Sequence, residues 1–433
     1  MRPDEVLSVD EIDLADLTFW ARSWEEREGA FLTLRRERPM AHFDEMDLRK
    51  RSALAPPPGA GYWAVTRYAD IAEASRHPEI YRSGAGAVSV IDMPPEMVEY
   101  FSGMISTDDP RHARLRRIVS SAFNPRMVRD IEDHIEEVAA RIVDRVATLG
   151  QCDFVTEIAA RLPLQVICEM MGIPESRYHD VLRCSNVILS EGDPELVPEG
   201  ADPVAAFLRA GEELTTLMHE IGDERLVHPA DDLTTGLVTT NVDGEALTHA
   251  ELASFFILLV VAGNETTRTA ITHGLWALTQ YPDQRAAWLD DVAGTTPTAV
   301  EEIVRWASPV TWMRRTVATD TELGGQTLRP GEKVLLFYNS ANRDDDAFDD
   351  PFRFDVRRTP NPHVGFGAPG PHFCLGAHLA RRELAVIWRK LLVRLPDIRA
   401  TAEPDRLRSS FVNGIKHLPC TFTPPAVSGP IHR

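Results

Sequence analysis

No two of the five cysteines in this chain stand in C-x-x-C spacing; they are Cys152, Cys168, Cys184, Cys374 and Cys420. That speaks against zinc ribbons and thioredoxin-like redox motifs. Cys152, Cys168, Cys184 and Cys420 read as ordinary residues, because free cysteine packs like a small hydrophobe. Long apolar runs are missing too. The longest, Ala253 to Gly263, falls well short of the ~20 residues a bilayer span needs. The acidic N-terminus carries no apolar segment of the secretion-signal type. Basic excess is also absent: 46 Lys and Arg against 66 Asp and Glu give a net charge of −20, which argues against nonspecific binding to nucleic acid. There is no Ser/Gly linker, no low-complexity tract and no repeat of fixed period. The expectation is a soluble, cytoplasmic, monomeric protein with one large domain over residues 1–433. Residues 1–16 and 426–433 are expected to be flexible ends.

What is present reads mainly helical with a small β region. Pro110 opens a helical stretch after Asp108 and Asp109, which are cap candidates. A second stretch, 127–149, has apolar residues at helical spacing and stops at Gly150. A very long helix starts at a Thr248/Glu251 capping-box pattern and runs to Gln280. At ~1.5 Å per residue it spans roughly 50 Å. Strand signals are "GYWAVTRY" and "TELGGQTLRPGEKVLLFYN", the latter a strand, a Pro330–Gly331 turn and a strand. Residues 54–61 and 83–96 read as loops.

The chemistry concentrates in "HVGFGAPGPHFCLGAHLARRE", from His363 to Glu383. Cys374 precedes a helix, so its sulfur sits at the positive end of the dipole beside unpaired N–H groups. Both effects favour the thiolate. Gly367, Gly370 and Gly376 let the backbone turn sharply and approach a flat partner. Phe366 packs beside the sulfur. A cysteine that merely caps a helix is the bland alternative. The pattern F-G-x-x-G-x-H-x-C-x-G favours an axial thiolate ligand to haem iron instead. A zinc site from Cys374, His372 and His378 lacks ligand spacing.

This stretch resembles the haem-binding loop of the cytochrome P-450 superfamily, and three further motifs support the resemblance. "AGNETT" spans Ala262 to Thr267 in the long helix. The resemblance implies that Gly263 makes a bulge that gives dioxygen space over the iron, with Ala262 beside it. It implies that Glu265 and Thr266, with Thr267 next to them, relay protons, the carboxylate near bulk water and the hydroxyl near the oxygen. "VEEIVRW" puts Glu302 and Arg305 on one helix face, where the family has a buried structural pair with Arg353 as third member. "DDPRHARLRR" puts His112 and Arg116 on one face. There the family meets the haem propionates, with Arg315 and His372 as further contacts.

Within the superfamily the chain resembles the mycobacterial methyl-branched lipid omega-hydroxylases and their sterol side-chain relatives. The resemblance implies the cytochrome P-450 fold around haem b, with O2 and two electrons from NAD(P)H delivered by ferredoxin reductase and ferredoxin. Arg114, Arg117, Arg381 and Arg382 would form the basic patch that docks the ferredoxin. The substrate would be a terminal methyl of a branched lipid, an isoprenoid or a sterol side chain, presented end-on. Lining candidates are Met104, Ile105, Ile188, Leu189, Leu258, Val261, Val310, Trp312, Phe411 and Val412. An acyclic terpenoid or another hydrophobic metabolite is the alternative substrate class. A non-catalytic haem sensor or carrier is the rival of a different kind.

Overall fold

The computed structural model describes residues 3, 7–122, 125–197, 199–241, 244 and 246–425. Its axis is the helix His249–Gln280, 32 residues long. Thr248 Oγ1 accepts from Glu251 N at 3.1 Å, and the Glu251 carboxylate accepts from Thr248 N at 3.0 Å. The helix is long and apolar enough to cross a membrane, but it is the buried centre of this protein. Helices Pro95–Ser102, Arg161–Met170, Tyr178–Leu189, Pro203–Val227, Val292–Ala307 and Ala377–Arg394 all pack on it. An apolar face on every side has one stable solution, burial on every side.

The sheet is small. Its five strands run in the order Met40–Phe43, Tyr62–Val65, Lys333–Phe337, Trp312–Val317, Tyr81–Arg82. Only the Tyr62–Val65 and Lys333–Phe337 pair is parallel. Trp20, Phe31, Trp312 and Phe337 form the core cluster beneath it. A larger cluster between the helices holds Phe154, Trp288 and Trp388. A third, with Phe256 and Ile167, fills the space above the long helix's middle.

The helix Arg111–Ala122 follows Pro110. The two aspartates divide the work: Asp109 Oδ1 accepts from Ala113 N, while the Asp108 carboxylate holds the Ser83 and Gly84 amides. The second helix runs Pro125–Ala147, and Gly150 follows at φ +74°.

Three expectations need correction, and a fourth lies outside the described residues. Residues 7–16 are not a loose end: Ile12 and Leu14 are buried, and Trp20 Nε1 donates to Leu14 O at 3.1 Å. The expected flexible C-terminus, 426–433, lies outside the described residues. The 321–337 stretch makes three strands, not two. A hairpin through Gly324 and Gly325 comes first, and the strand after Pro330–Gly331 joins the five-stranded sheet. The loop after Ser83 becomes helix at Pro95, where proline suits the first turn.

Candidate active site

The cysteine loop is built by tight backbone bonds. Gly367 N donates to Val364 O at 2.9 Å, and Cys374 N to Phe366 O at 3.0 Å. Gly367 has φ +91°, which favours glycine. At Gly370 a β-carbon would strike Ser75 O. At Gly376, the N-cap of the helix Ala377–Arg394, a β-carbon would meet nothing. The Arg381 guanidinium lies 4.3 Å from the centre of the Phe366 ring and closes the side of the loop.

Cys374 is an exposed residue of this loop. Burial pushes its thiol above the ordinary range, against the Gly376 amide, Arg116 and Arg381, which pull it down. The helix end therefore does not by itself favour the thiolate. A metal cation does, because a coordinated thiol is deprotonated outright.

Basic groups from three separate segments converge near this loop. The His112 and His372 rings lie 4.2 Å apart, and Arg116 Nη2 donates to Phe373 O at 2.9 Å. Arg315 is buried on the strand Trp312–Val317. Burial, then Arg315, His112 and Arg116, drives His372 down to about 3. Burial and Arg116 lower His112 as well. The positive charge here is that of Arg116 and Arg315, and with imidazole N–H donors beside it the cluster suits carboxylates.

A cavity of about 580 Å³ lies against the middle of the long helix. Ile105, Ile188, Leu189, Leu258, Val261, Val310, Trp312, Phe411 and Val412 all line it, together with Ala262 and Thr266. Met104 does not; it is buried in the core cluster with Phe256. The reading of residue types missed Leu14, Phe101, Phe207 and Phe337, which also line it. They come from distant segments, and no local pattern marks them.

The family model for cytochrome P450 matches residues 295–413. Methyl-branched lipid omega-hydroxylase of Mycobacterium tuberculosis is 48% identical over 424 residues, covering 97% of each chain. The chain belongs to the cytochrome P450 family. This P450 is also 42% identical over 360 residues to the steroid C26-monooxygenase of Rhodococcus jostii, covering 82% of this chain and 74% of that one. A Mycobacterium marinum cytochrome P450 solved in complex with pseudoionone superposes with a TM-score of 0.89. It is 45% identical, and the match covers 96% of this chain and all of that one. The fold is thus the P450 fold, and the protein is a haem-dependent monooxygenase that uses O2 and reducing equivalents.

The residues fit a haem. Cys374 is exposed in its loop, Gly376 leaves its side of the loop open, and Arg116 and Arg315 offer positive charge for two propionates while His112 and His372 offer ring N–H donors.

The structure differs from the expected arrangement at several positions. The helix does not bulge at Gly263; it is α-helical throughout, and Gly263 does not line the cavity. A β-carbon there would collide with Ile167 Cδ1. Glu265 is not near bulk water. It is 1% exposed, ion-paired to Arg268, and takes a long bond from Thr269 Oγ1 at 3.5 Å. Arg268 in turn donates to Asn186 Oδ1 at 3.0 Å. The Thr266 hydroxyl donates to Ala262 O at 2.6 Å. Thr267 is buried and does not reach the cavity.

The buried pair Glu302–Arg305 is bidentate, with 2.7 and 2.8 Å bonds. Its third side chain is Arg358, whose Nε donates to Glu302 at 3.1 Å. Arg353 is exposed and supplies only its carbonyl, to Arg305. Spacing alone could not choose between two arginines five residues apart. The basic patch is also less available than its sequence implies. Arg114 bonds Glu251, Arg381 grips Glu301 with two bonds, and Arg382 shares Glu136 with Arg389 and Lys390. Burial would raise Glu301, but His363 and Arg381 hold it at about 2. Arg117 is exposed on the helix Arg111–Ala122.

Proposed function

We propose that this P450 hydroxylates the terminal methyl of methyl-branched lipids and related isoprenoid or sterol side chains. The observation that carries the reading is the cavity. Its walls are apolar and aromatic, and the long helix contributes Ala262 and Thr266 to it. The named relatives are a methyl-branched lipid omega-hydroxylase and a steroid C26-monooxygenase. Pseudoionone in the M. marinum P450 supports acyclic terpenoids as a substrate class.

Haem bound through Cys374 supplies the oxygen-activating chemistry. The chain's own residues do the rest. Arg116 and Arg315 would hold the propionates by charge-assisted bonds, with His112 and His372 as ring N–H donors. Leu258, Val261, Trp312 and Phe411 exclude water and hold the chain end. Thr266 Oγ1, on the helix face that lines the cavity, turns from Ala262 O to present its proton there. Glu265 resupplies it, and must first part from Arg268, because an ion-paired carboxylate is a poor proton source. Electrons arrive from NAD(P)H through a ferredoxin reductase and a ferredoxin, which meets Arg117 and Arg382 on a monomer in the cytoplasm.

The test is a titration of the Soret band with a branched fatty acid, a farnesyl-type terpenoid and cholestenone side by side, followed by turnover with a surrogate ferredoxin. An acyclic methyl-branched chain should bind best and yield a terminal alcohol. Spectral shifts confined to polar macrolides or small aromatics would refute the substrate class. Tight binding without product from any panel member would favour a sensor or carrier.

A further inference from the structure

Cys152 and Cys420 are far apart in sequence and adjacent in space. They face each other across an antiparallel pair, Gln151–Asp153 with Pro419–Thr421, and their sulfurs lie 3.6 Å apart. The bonds from Phe154 N to Leu418 O and from Phe422 N to Gly150 O, 2.9 and 3.0 Å, flank them. That alternation puts the cysteines at a hydrogen-bonded position, where α-carbons are about 5.5 Å apart. A disulfide tolerates roughly 4.4 to 6.8 Å. The backbone is therefore already at bridging distance, and the sulfurs have only to swing together.

We infer that Cys152 and Cys420 form a second thiol site, a dithiol that hydrogen peroxide converts to a disulfide. The two sulfurs are not equivalent. Cys152 is half-buried and Cys420 fully buried, so peroxide reaches Cys152 first. A hydrogen bond from Cys420 lowers the Cys152 thiol, while its proximity to Cys152 raises Cys420. The accessible sulfur is thus also the better nucleophile. The other cysteines outside the haem loop differ. Cys168 and Cys184 are buried, and burial pushes both thiols up.

The Cys152 thiolate attacks one peroxide oxygen. A sulfur–oxygen bond forms, the O–O bond breaks, and the leaving hydroxide takes a proton and departs as water. Cys152 is then a sulfenic acid. The Cys420 sulfur attacks the Cys152 sulfur; the S–S bond forms and the S–O bond breaks. The second hydroxide leaves with the Cys420 proton as another water. Two electrons pass from the sulfurs to peroxide. In a reducing compartment the pair rests as two thiols. Oxidation straps the C-terminal strand, eight residues beyond cavity-lining Val412, to the strand after the helix Pro125–Ala147.

The experiment uses purified haem-loaded protein, reduced, desalted and exposed to a small molar excess of hydrogen peroxide. Non-reducing tryptic mapping should join peptide 146–161 to peptide 417–433, two hydrogens lighter than the separate pair, and dithiothreitol should part them. Because the bridge closes a loop of 268 residues, the oxidised form should melt a few degrees higher. Cys420→Ser should instead accumulate the Cys152 sulfenic acid, captured by dimedone. Wild-type protein in which Cys152 is captured as sulfenic acid, or both cysteines remain free thiols, would overturn the inference.

Discussion

Replacing Gly263 by alanine separates two explanations for a glycine in the middle of a buried helix. Family resemblance assigns the missing side chain to dioxygen. The structure assigns it to Ile167, whose Cδ1 occupies the place of a β-carbon while Cγ1 stands 3.5 Å from it. In the wild-type background Gly263→Ala gains about 1 kcal/mol of helix propensity. It loses about 1–3 kcal/mol to overpacking against Ile167, which is 2% exposed. The net is a loss of up to about 2 kcal/mol. Ile167→Val removes Cδ1 and costs about 0.5–1.5 kcal/mol alone. In that background the new methyl meets Cγ1 at ordinary contact distance, so Gly263→Ala should stabilise by about 1 kcal/mol. The double-mutant cycle should therefore show coupling of about 1–3 kcal/mol. In a chain this long 1 kcal/mol moves the melting midpoint by only about 1 °C, so guanidinium unfolding followed by tryptophan fluorescence is the better assay. Equal cost of Gly263→Ala in both backgrounds would refute the packing argument. Unchanged stability with a fall in product formed per electron pair would return the glycine to dioxygen.

Arg358→Gln should cost about 1–3 kcal/mol, because it leaves part of buried Glu302 unpaired, while Arg353→Gln should stay within about 0.5 kcal/mol; chemical unfolding of both decides. Glu383 is 2% exposed, its Oε2 has no hydrogen-bond partner among the described residues, and burial raises its carboxyl to about 8. A raised carboxyl contributes stability that is full below the ordinary carboxylate range and is lost as pH climbs through about 8. Glu383→Gln should therefore match wild type near pH 5 and exceed it at pH 9 by a few kcal/mol; a constant difference across that range would contradict the burial. Thr266→Val should alter both the Soret shift on substrate binding and the product yield per NAD(P)H, since its hydroxyl lines the cavity. Thr267→Val should leave the Soret shift unchanged, and the reverse pattern would mean the helix faces are misassigned.

Much of the site was legible wherever the chemistry is local. The cysteine loop, the Thr248 capping box and the Glu302–Arg305 pair each lie within one turn or loop, so spacing carries them. Nine of the ten lining candidates do border the cavity, because they sit in apolar segments flanking the motifs. Met104 failed because its neighbour Ile105 turns to the cavity while Met104 turns into the core, and a short 3-10 turn, Gly103–Ser106, sets which is which. Arg268, which ties up Glu265 three residues away, was within reach of the same i,i+3 reasoning that found Arg305.

The sequence by itself determined the class of protein, the candidate ligand sulfur and the long helix that crosses the fold. Those follow from residue identity at short range: a thiol beside glycines, a cap, and an unbroken apolar period. Tertiary structure alone decided ionisation and pairing. Burial raises the Cys374 thiol that the helix end was expected to lower, and Arg268 withdraws Glu265 from solvent. Arg358 rather than Arg353 answers Glu302, and Cys152 finds Cys420. Each of these depends on which groups lose water and which charges meet across the chain, and spacing along a sequence contains neither.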